Sequence, residues 1–293
     1  MLYTKTALSF AQQVALLKGR HLIVPDDAAA MAELSNVSYY RLSAYFKPFI
    51  LPQSENFAPG TTFASILELY AFDRQLRFLL GDPLECIELH IRTRITYELA
   101  MRGGAFAHSR PNLFEPSFDH ATFLADQEEK ERKTTVQFAK HFRRKYQEPR
   151  LPIWMATELM SFGTLSWLFP NLRPDIQQAI SKTFAIDRSV MKSWLECLSY
   201  IRNICAHHAR LWNKELAIRP ILPRSRERWP YPSLDNKRCY IIILLLQDMV
   251  GRIEPNHPWK NSFAEFLSQR TPMQLAGLQA PNNWGSLKPW ATT

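Results

Sequence analysis

Glycine is scarce in this chain, 9 of 293 residues, and strictly alternating apolar–polar runs are few. That excludes the turn-dense organisation of a β-sandwich or barrel, whose many short strands need glycine-rich turns between them. Cysteine is scarcer still. Cys86, Cys197, Cys205 and Cys239 form no Cys-x-x-Cys pair, which argues against a disulfide framework and leaves no four-ligand zinc set. With no secretory leader ahead of them, reduced thiols in a cytoplasm are the simplest account. The longest strongly apolar run, Tyr240–Leu246, is far too short to cross a bilayer, so no membrane partner is expected. A Walker-type phosphate loop, GxSxG, HExxH, paired catalytic carboxylates, internal repeats and low-complexity tracts are all missing. No cofactor and no metal are expected.

What is present is apolar, aromatic and basic. Apolar residues make up 46% of the chain, enough to exclude disorder and to bury one large core or two packed ones. The formal net charge is +9 with a pI near 9.4, which favours a polyanionic partner such as nucleic acid.

Helical periodicity runs through most of the sequence. Thr6 or Ser9 opens a first helix stopped by Gly19, and Pro25-Asp26-Asp27 caps a second. The Tyr39–Phe49 block gathers aromatics around Arg41 and reads as a core corner that satisfies tyrosine hydroxyls. A helix from about Phe63 to Leu80 should stop at Gly81-Asp82-Pro83, and the next, Leu84–Met101, carries Ile87, Ile91, Ile95 and Leu99 on one stripe. Its Glu88, His90, Arg92 and Arg94 read either as a solvated face with i,i+4 pairs or as support for another helix in a bundle. A polar connection, 103–119, leads to a strongly charged stretch, 126–145. There Phe138, Phe142 and Tyr146 form an anchoring stripe, while Lys140, Arg143, Arg144 and Lys145 form either a phosphate-tracking patch or a solvated face. Beyond Pro152 the spacing predicts a helix through Met160, a break at Gly163, and N-caps at Asp175 and Asp187. Arg224, Arg226 and Arg228 lie in a proline-punctuated loop that could help hold RNA, and a hydrophobic helix follows over about Leu234–Ile253.

The stretch Trp194–Leu216 carries the chemistry. Val190, Trp194, Leu198, Ile201, Cys205 and Trp212 recur at helical spacing as a core-facing stripe, and Arg202, Asn203, His207 and His208 stand against it. Asn203 and His207 are one turn apart, with Arg202 flanking them. A fixed cation beside an imidazole is what phosphodiester cleavage needs: one stabilises phosphate charge, the other moves protons. Arg102/His108 and Arg252/His257 match the same loose spacing, but only the Arg202 match lies inside a strong helical stripe with a polar residue directly after the arginine. Cys205, on the stripe, reads as a buried thiol rather than a nucleophile. Adjacent histidines on a helix point in different directions, so His207 and His208 do not make a metal pair.

Arg202-Asn203-x-x-x-His207 resembles the Arg-polar-x-x-x-His signature of HEPN-superfamily ribonucleases. The wider chain resembles the abortive-infection (AbiD/AbiF-like) phage-resistance family within it. Leu34–Tyr45, Tyr70–Arg77, Leu151–Trp154, Ser161–Gly163, Ser193-Trp194, Arg202–Asn213 and Asn283-Trp284 with Trp290 are similar to that family's blocks, in order. Ala209 stands where HEPN toxins controlled by adenylylation often carry tyrosine.

The resemblance implies an all-α, multi-helix bundle of HEPN type with additional N-terminal and C-terminal helices. It implies one domain over 1–293: a helical cap at 1–60, a core at 61–253 with an inserted charged helix at 120–148, and a tail at 254–293. It implies a metal-independent endoribonuclease. His207 would be general acid or base, Arg202 would stabilise the phosphate, and Asn203 would orient the imidazole or hold a phosphate oxygen. His208 is a second candidate, and Arg210 a backbone contact. The partners implied are an RNA substrate, a second copy completing a composite site, and an antitoxin RNA or protein. A catalytically silent RNA-binding or scaffold protein of the same fold is the alternative, and a regulator whose helix docks a partner protein is a third reading.

Overall fold

Helix after helix begins where a short polar side chain can take up the free N–H groups of a first turn. A computed structural model describes residues 2, 4, 6–223 and 234–290, and among these the regular structure is entirely helical. There are thirteen α-helices, short 3-10 turns and isolated backbone bridges. The all-α expectation holds. The loop with Arg224, Arg226 and Arg228 lies outside the described residues. Two compact units divide the chain at 77/78.

In the first unit, α1 (Phe10–Gly19) opens on Ser9, which forms a reciprocal capping box with Gln12. Helix α2 (Asp27–Asn36) is capped by Asp26, whose carboxylate accepts the Ala29 N–H. The short α3 (Tyr39–Ser43) follows. Then α4 (Phe63–Gly103) begins, burying Ile66, Leu69, Phe72 and Leu76 in this unit. Tyr45 is buried as expected, and its hydroxyl donates to Asp73 at 2.6 Å, while Tyr40 of the same block is exposed.

Helix α4 continues into the second unit. The sequence predicts a stop at Pro83, yet the helix runs for 41 residues with Pro83 inside it. A proline there removes the N–H that would bond the Leu79 carbonyl, at a cost of about 3 kcal/mol. The buried Trp259 supplies the missing donor: its indole N–H reaches the Leu79 oxygen at 2.6 Å. A rescue from a residue so far along the chain is invisible to local pattern reading. The stripe Ile87, Ile91, Ile95 and Leu99 is fully buried, as its spacing requires.

The charged stretch folds as two helices, α5 (His120–Lys133) and α6 (Gln137–Lys145). Next come α7 (Ile153–Ala156) and α8 (Phe162–Leu168). Gly163 is no break. Ser161 caps α8, and Gly163 sits in its first turn, where a Cβ would come 3.5 Å from Ser199 Oγ. Helix α9 (Pro174–Lys182) takes Arg173, not Asp175, as its N-cap, because Pro174 occupies the first helical position. Asp175 instead binds Arg173 and Arg102, and the Arg173 hydrogen bond holds its carboxyl well below the usual range.

Helix α10 (Arg188–Ala206) opens at Asp187 as expected and buries Met191, Trp194, Leu195, Leu198 and Ile201, with α8 and α9 packed against it. Helix α11 (Cys239–Ile253) starts later than expected, and its run Tyr240–Leu246 is buried on every side. That places it inside the unit's core. No described helix is long and apolar enough to cross a membrane. Helices α12 (Trp259–Ser268) and α13 (Pro272–Leu278) complete the order.

One core residue makes stability depend on acidity. His108 is 0% exposed, and neither ring nitrogen has a hydrogen-bond partner among the described residues. Burial, reinforced by Arg150 and His120, lowers its pKa from 6.5 to about 4. Between those values the unfolded chain binds a proton that the folded chain refuses, so stability falls as pH drops from about 6.5 to about 4. At about 1.4 kcal/mol per pH unit the loss reaches about 3 kcal/mol. His108→Leu is expected to flatten this acid limb in urea unfolding curves recorded from pH 7 to pH 4. An unchanged limb would place the acid sensitivity elsewhere.

Candidate active site

The motif lies at the C-terminal end of α10. The helical stripe was expected to carry on to Trp212, but the helix ends at Ala206 with His207 as its C-cap. The His207 N–H still reaches the Asn203 carbonyl at 2.9 Å. His208 then takes φ +55°, its N–H donates to the Cys205 carbonyl, and the Ala209 N–H donates to the Ile204 carbonyl. This pair of bonds is the Schellman closure, which usually places glycine at the left-handed position. A histidine there carries about 1–2 kcal/mol of backbone strain. The turn swings His207 and His208 out to solvent beside exposed Asn203. A helix C-terminus presents the negative end of its dipole, poorly suited to phosphate. Arg202 and the two histidines are groups at that end whose charge can offset it.

Arg202 is held from two sides. Its Nη1 donates to Asn203 Oδ1 at 3.3 Å, and its Nε lies 3.6 Å from Glu88 Oε2 on α4. The Arg202 side chain retains 37% exposure, so the guanidinium is steered yet reachable. The other Glu88 oxygen accepts from Arg92 Nη2 at 2.8 Å. Arg92 is buried and donates to the carbonyls of Thr157 and Met160, the latter at 2.8 Å. An unbroken chain of charge-assisted contacts thus runs from the turn after α7, through α4, to the motif arginine. Both readings of the α4 cluster contribute: the Glu88/Arg92 pair exists, but it is buried rather than solvated and supports α10. The cluster's other members face elsewhere. Arg94 pairs with Glu98, and His90 sits beside Thr183 and Phe184, its pKa lowered by burial and then by Arg94.

The segment after the motif is clamped. Buried Trp212 donates its indole N–H to the Gln274 carbonyl at 2.9 Å, and the Asn213 N–H donates to the Gly277 carbonyl at 3.1 Å. A Cβ at Gly277 would fall 2.2 Å from the Trp212 ring, so only glycine admits this approach. Arg238 donates to Asn213 Oδ1 at 2.6 Å. Trp212 and Asn213 therefore anchor the turn that bears His207 and His208, a role that the helical-stripe reading missed. Half-buried Arg210 lies within the same turn segment.

Lys140, Arg143, Arg144 and Lys145 are exposed on α6, a different helix, whose buried Ala139 and Phe142 pack with Leu151 and Ala156. Arg143 shares a cleft with Glu128, Glu131 and Glu148, which offset part of its charge.

Fold and site together define an all-α protein with its polar centre at the exposed end of one helix, braced from a second. A family model described as Abi-like protein matches residues 32–213, taking in α10 and ending at Asn213. The chain belongs to that family, which suggests abortive-infection defence against phage. No curated protein matches the chain, and no solved structure does.

Proposed function

We propose that the chain is a metal-independent endoribonuclease of phage defence, acting in the cytoplasm through Arg202, Asn203 and His207. The observation that carries this reading is the braced Arg202, held by Glu88 and by Asn203, which itself stands one turn before exposed His207. His207 takes the proton from a ribose 2′-OH. The 2′-oxygen attacks the phosphorus, Arg202 neutralises the added phosphorane charge, and the departing 5′-oxygen accepts a proton. The products are a 2′,3′-cyclic phosphate and a 5′-OH, and DNA is inert because it lacks the attacking hydroxyl. In-line displacement puts the attacking 2′-oxygen and the departing 5′-oxygen on opposite sides of the phosphorus, beyond the reach of one imidazole, so a second copy of the chain supplies the other proton carrier. The functional unit is accordingly a homodimer with a composite site. His208 is the reserve proton carrier. Arg210, with the basic face of α6 and the arginines at 224, 226 and 228, tracks the RNA backbone. An antitoxin RNA or protein restrains the activity in the uninfected cell.

The test is incubation with labelled tRNA and single-stranded RNA in EDTA, beside Arg202→Ala and His207→Ala. Wild type is expected to leave cyclic-phosphate ends, and each variant to lose at least about 100-fold of the rate while retaining RNA. Binding without cleavage in all three proteins would favour a catalytically silent RNA-binding scaffold of the same fold.

A further inference from the structure

A second cluster of chemistry-bearing side chains lies on the other side of α4 from Glu88. Cys86 and Glu88 are about 200° apart around the helix at 100° per residue. Cys86 meets Glu254 and His257, from the turn between α11 and α12, and one ligating atom of each lies within 4.8 Å of the others. Cys86 Sγ is 4.0 Å from Glu254 Oε1, and His257 Nε2 is 3.9 Å from Glu254 Oε2. Asp82, one helical turn before Cys86, brings Oδ2 to 3.7 Å from the same Nε2. A cleft of about 270 Å³ opens alongside, lined by Gln247, Gly251, Glu254, His257 and Asn261, and gives a path for entry.

We propose that Cys86, Glu254 and His257, with Asp82 in the fourth position, bind a divalent transition-metal ion, zinc above all. One thiolate, one imidazole and carboxylate oxygens form a borderline-soft donor set of the kind zinc takes in tetrahedral geometry. Bonds of about 2.0–2.3 Å put neighbouring donors on zinc roughly 3.3–3.8 Å apart. The separations among Cys86, Glu254 and His257 close onto such an ion with movements of a few tenths of an ångström to about one, and Asp82, already at His257, swings in to join them. Without the ion the cluster is poorly matched. Two carboxylates converge on one histidine, and that of Glu254 also abuts the Cys86 thiol. A dication turns both carboxylates into partners. His257 Nδ1 accepts the Trp259 N–H at 3.2 Å, which places the neutral ring's proton on Nε2. Loading the ion therefore releases the Cys86 proton to solvent, moves the ring proton from Nε2 to Nδ1, and exchanges the Trp259 bond for the metal bond. The ion would tie α4 to the α11–α12 turn as a structural clip, with no part in RNA cleavage.

The full chain, stripped with EDTA and dialysed, is titrated with Co²⁺ and then with Zn²⁺. One equivalent of Co²⁺ is expected to give a thiolate-to-cobalt charge-transfer band that zinc bleaches, and zinc is expected to raise the melting temperature. Cys86→Ser should abolish the band, Cys205→Ser should keep it, and Asp82→Asn should weaken binding about 10-fold or more. No band in wild type, or a band that persists in Cys86→Ser, overturns the proposal. The optical titration reads the metal alone, so its result stands whether or not the chain cleaves RNA.

Discussion

Asp73→Ala is expected to destabilise the chain by about 3–5 kcal/mol, a large part of the 5–15 kcal/mol typical of a folded domain. Asp73 is 0% exposed, Arg77 6% and Tyr45 1%, so the three form a polar knot inside an apolar unit. Asp73 accepts from both partners, from Tyr45 at 2.6 Å and from Arg77 one turn along α4. Burial, then Asp73, push the Tyr45 hydroxyl above its usual range, so it remains a donor. Burial works against the Arg77 cation, and Asp73 together with Tyr45 and Tyr70 more than offsets it. Removing the carboxylate leaves the buried hydroxyl without its acceptor and the buried cation with only the neutral Tyr45 oxygen, at 3.4 Å. Tyr45→Phe, which removes one donor, is expected to cost only about 1–3 kcal/mol. Urea midpoints at constant m-value measure both. Equal small losses would show that water reaches the knot and screens it.

The knot also shows how far the sequence could be read. Aromatic clustering in Tyr39–Phe49 points to a core corner, and Tyr45 is buried, but its acceptor lies on another helix, where no spacing rule reaches. Caps at Ser9 and Asp26, the start of α10 at Asp187 (which makes no side-chain capping bond) and the stripe Ile87–Leu99 are local properties, and they stand where the residues predict. The expectations that fail do so through distant partners. Pro83 does not stop α4 because Trp259 bonds the carbonyl that proline leaves free. Asp175 gives up its expected capping role to grip Arg173 and Arg102. At the motif, Arg202, Asn203 and His207 are adjacent by helical geometry alone. That the helix stops at His207 was hidden, because the residue in the left-handed position is a histidine and not the usual glycine.

Glu88→Gln is expected to lower the rate of RNA cleavage about 10–100-fold while leaving RNA retention close to wild type. This loss is expected of the ribonuclease proposed above. Phosphate stabilisation depends on where the guanidinium stands when the phosphorane forms, and a displacement of about 1 Å can cost about 100-fold. Glu88 is largely buried and holds Arg202 at 3.6 Å by charge, which the glutamine amide cannot supply. Glu88 is thus a positioning residue, acting through Arg202 without touching the substrate. The same change removes the carboxylate beside buried Arg92, so a loss of stability is expected as well. Two further variants separate these effects. Glu88→Asp keeps the charge one methylene farther back and should fall between wild type and glutamine. Arg92→Met removes the buried cation but leaves Glu88 facing Arg202, so it should retain far more activity than Glu88→Gln. Rates are compared well below each variant's melting temperature. If activity in all three merely follows the melting temperature, the bridge is structural and Arg202 is positioned by its own helix. If Glu88→Gln cleaves faster than wild type, Glu88 competes with the phosphate for Arg202 and holds the resting enzyme back.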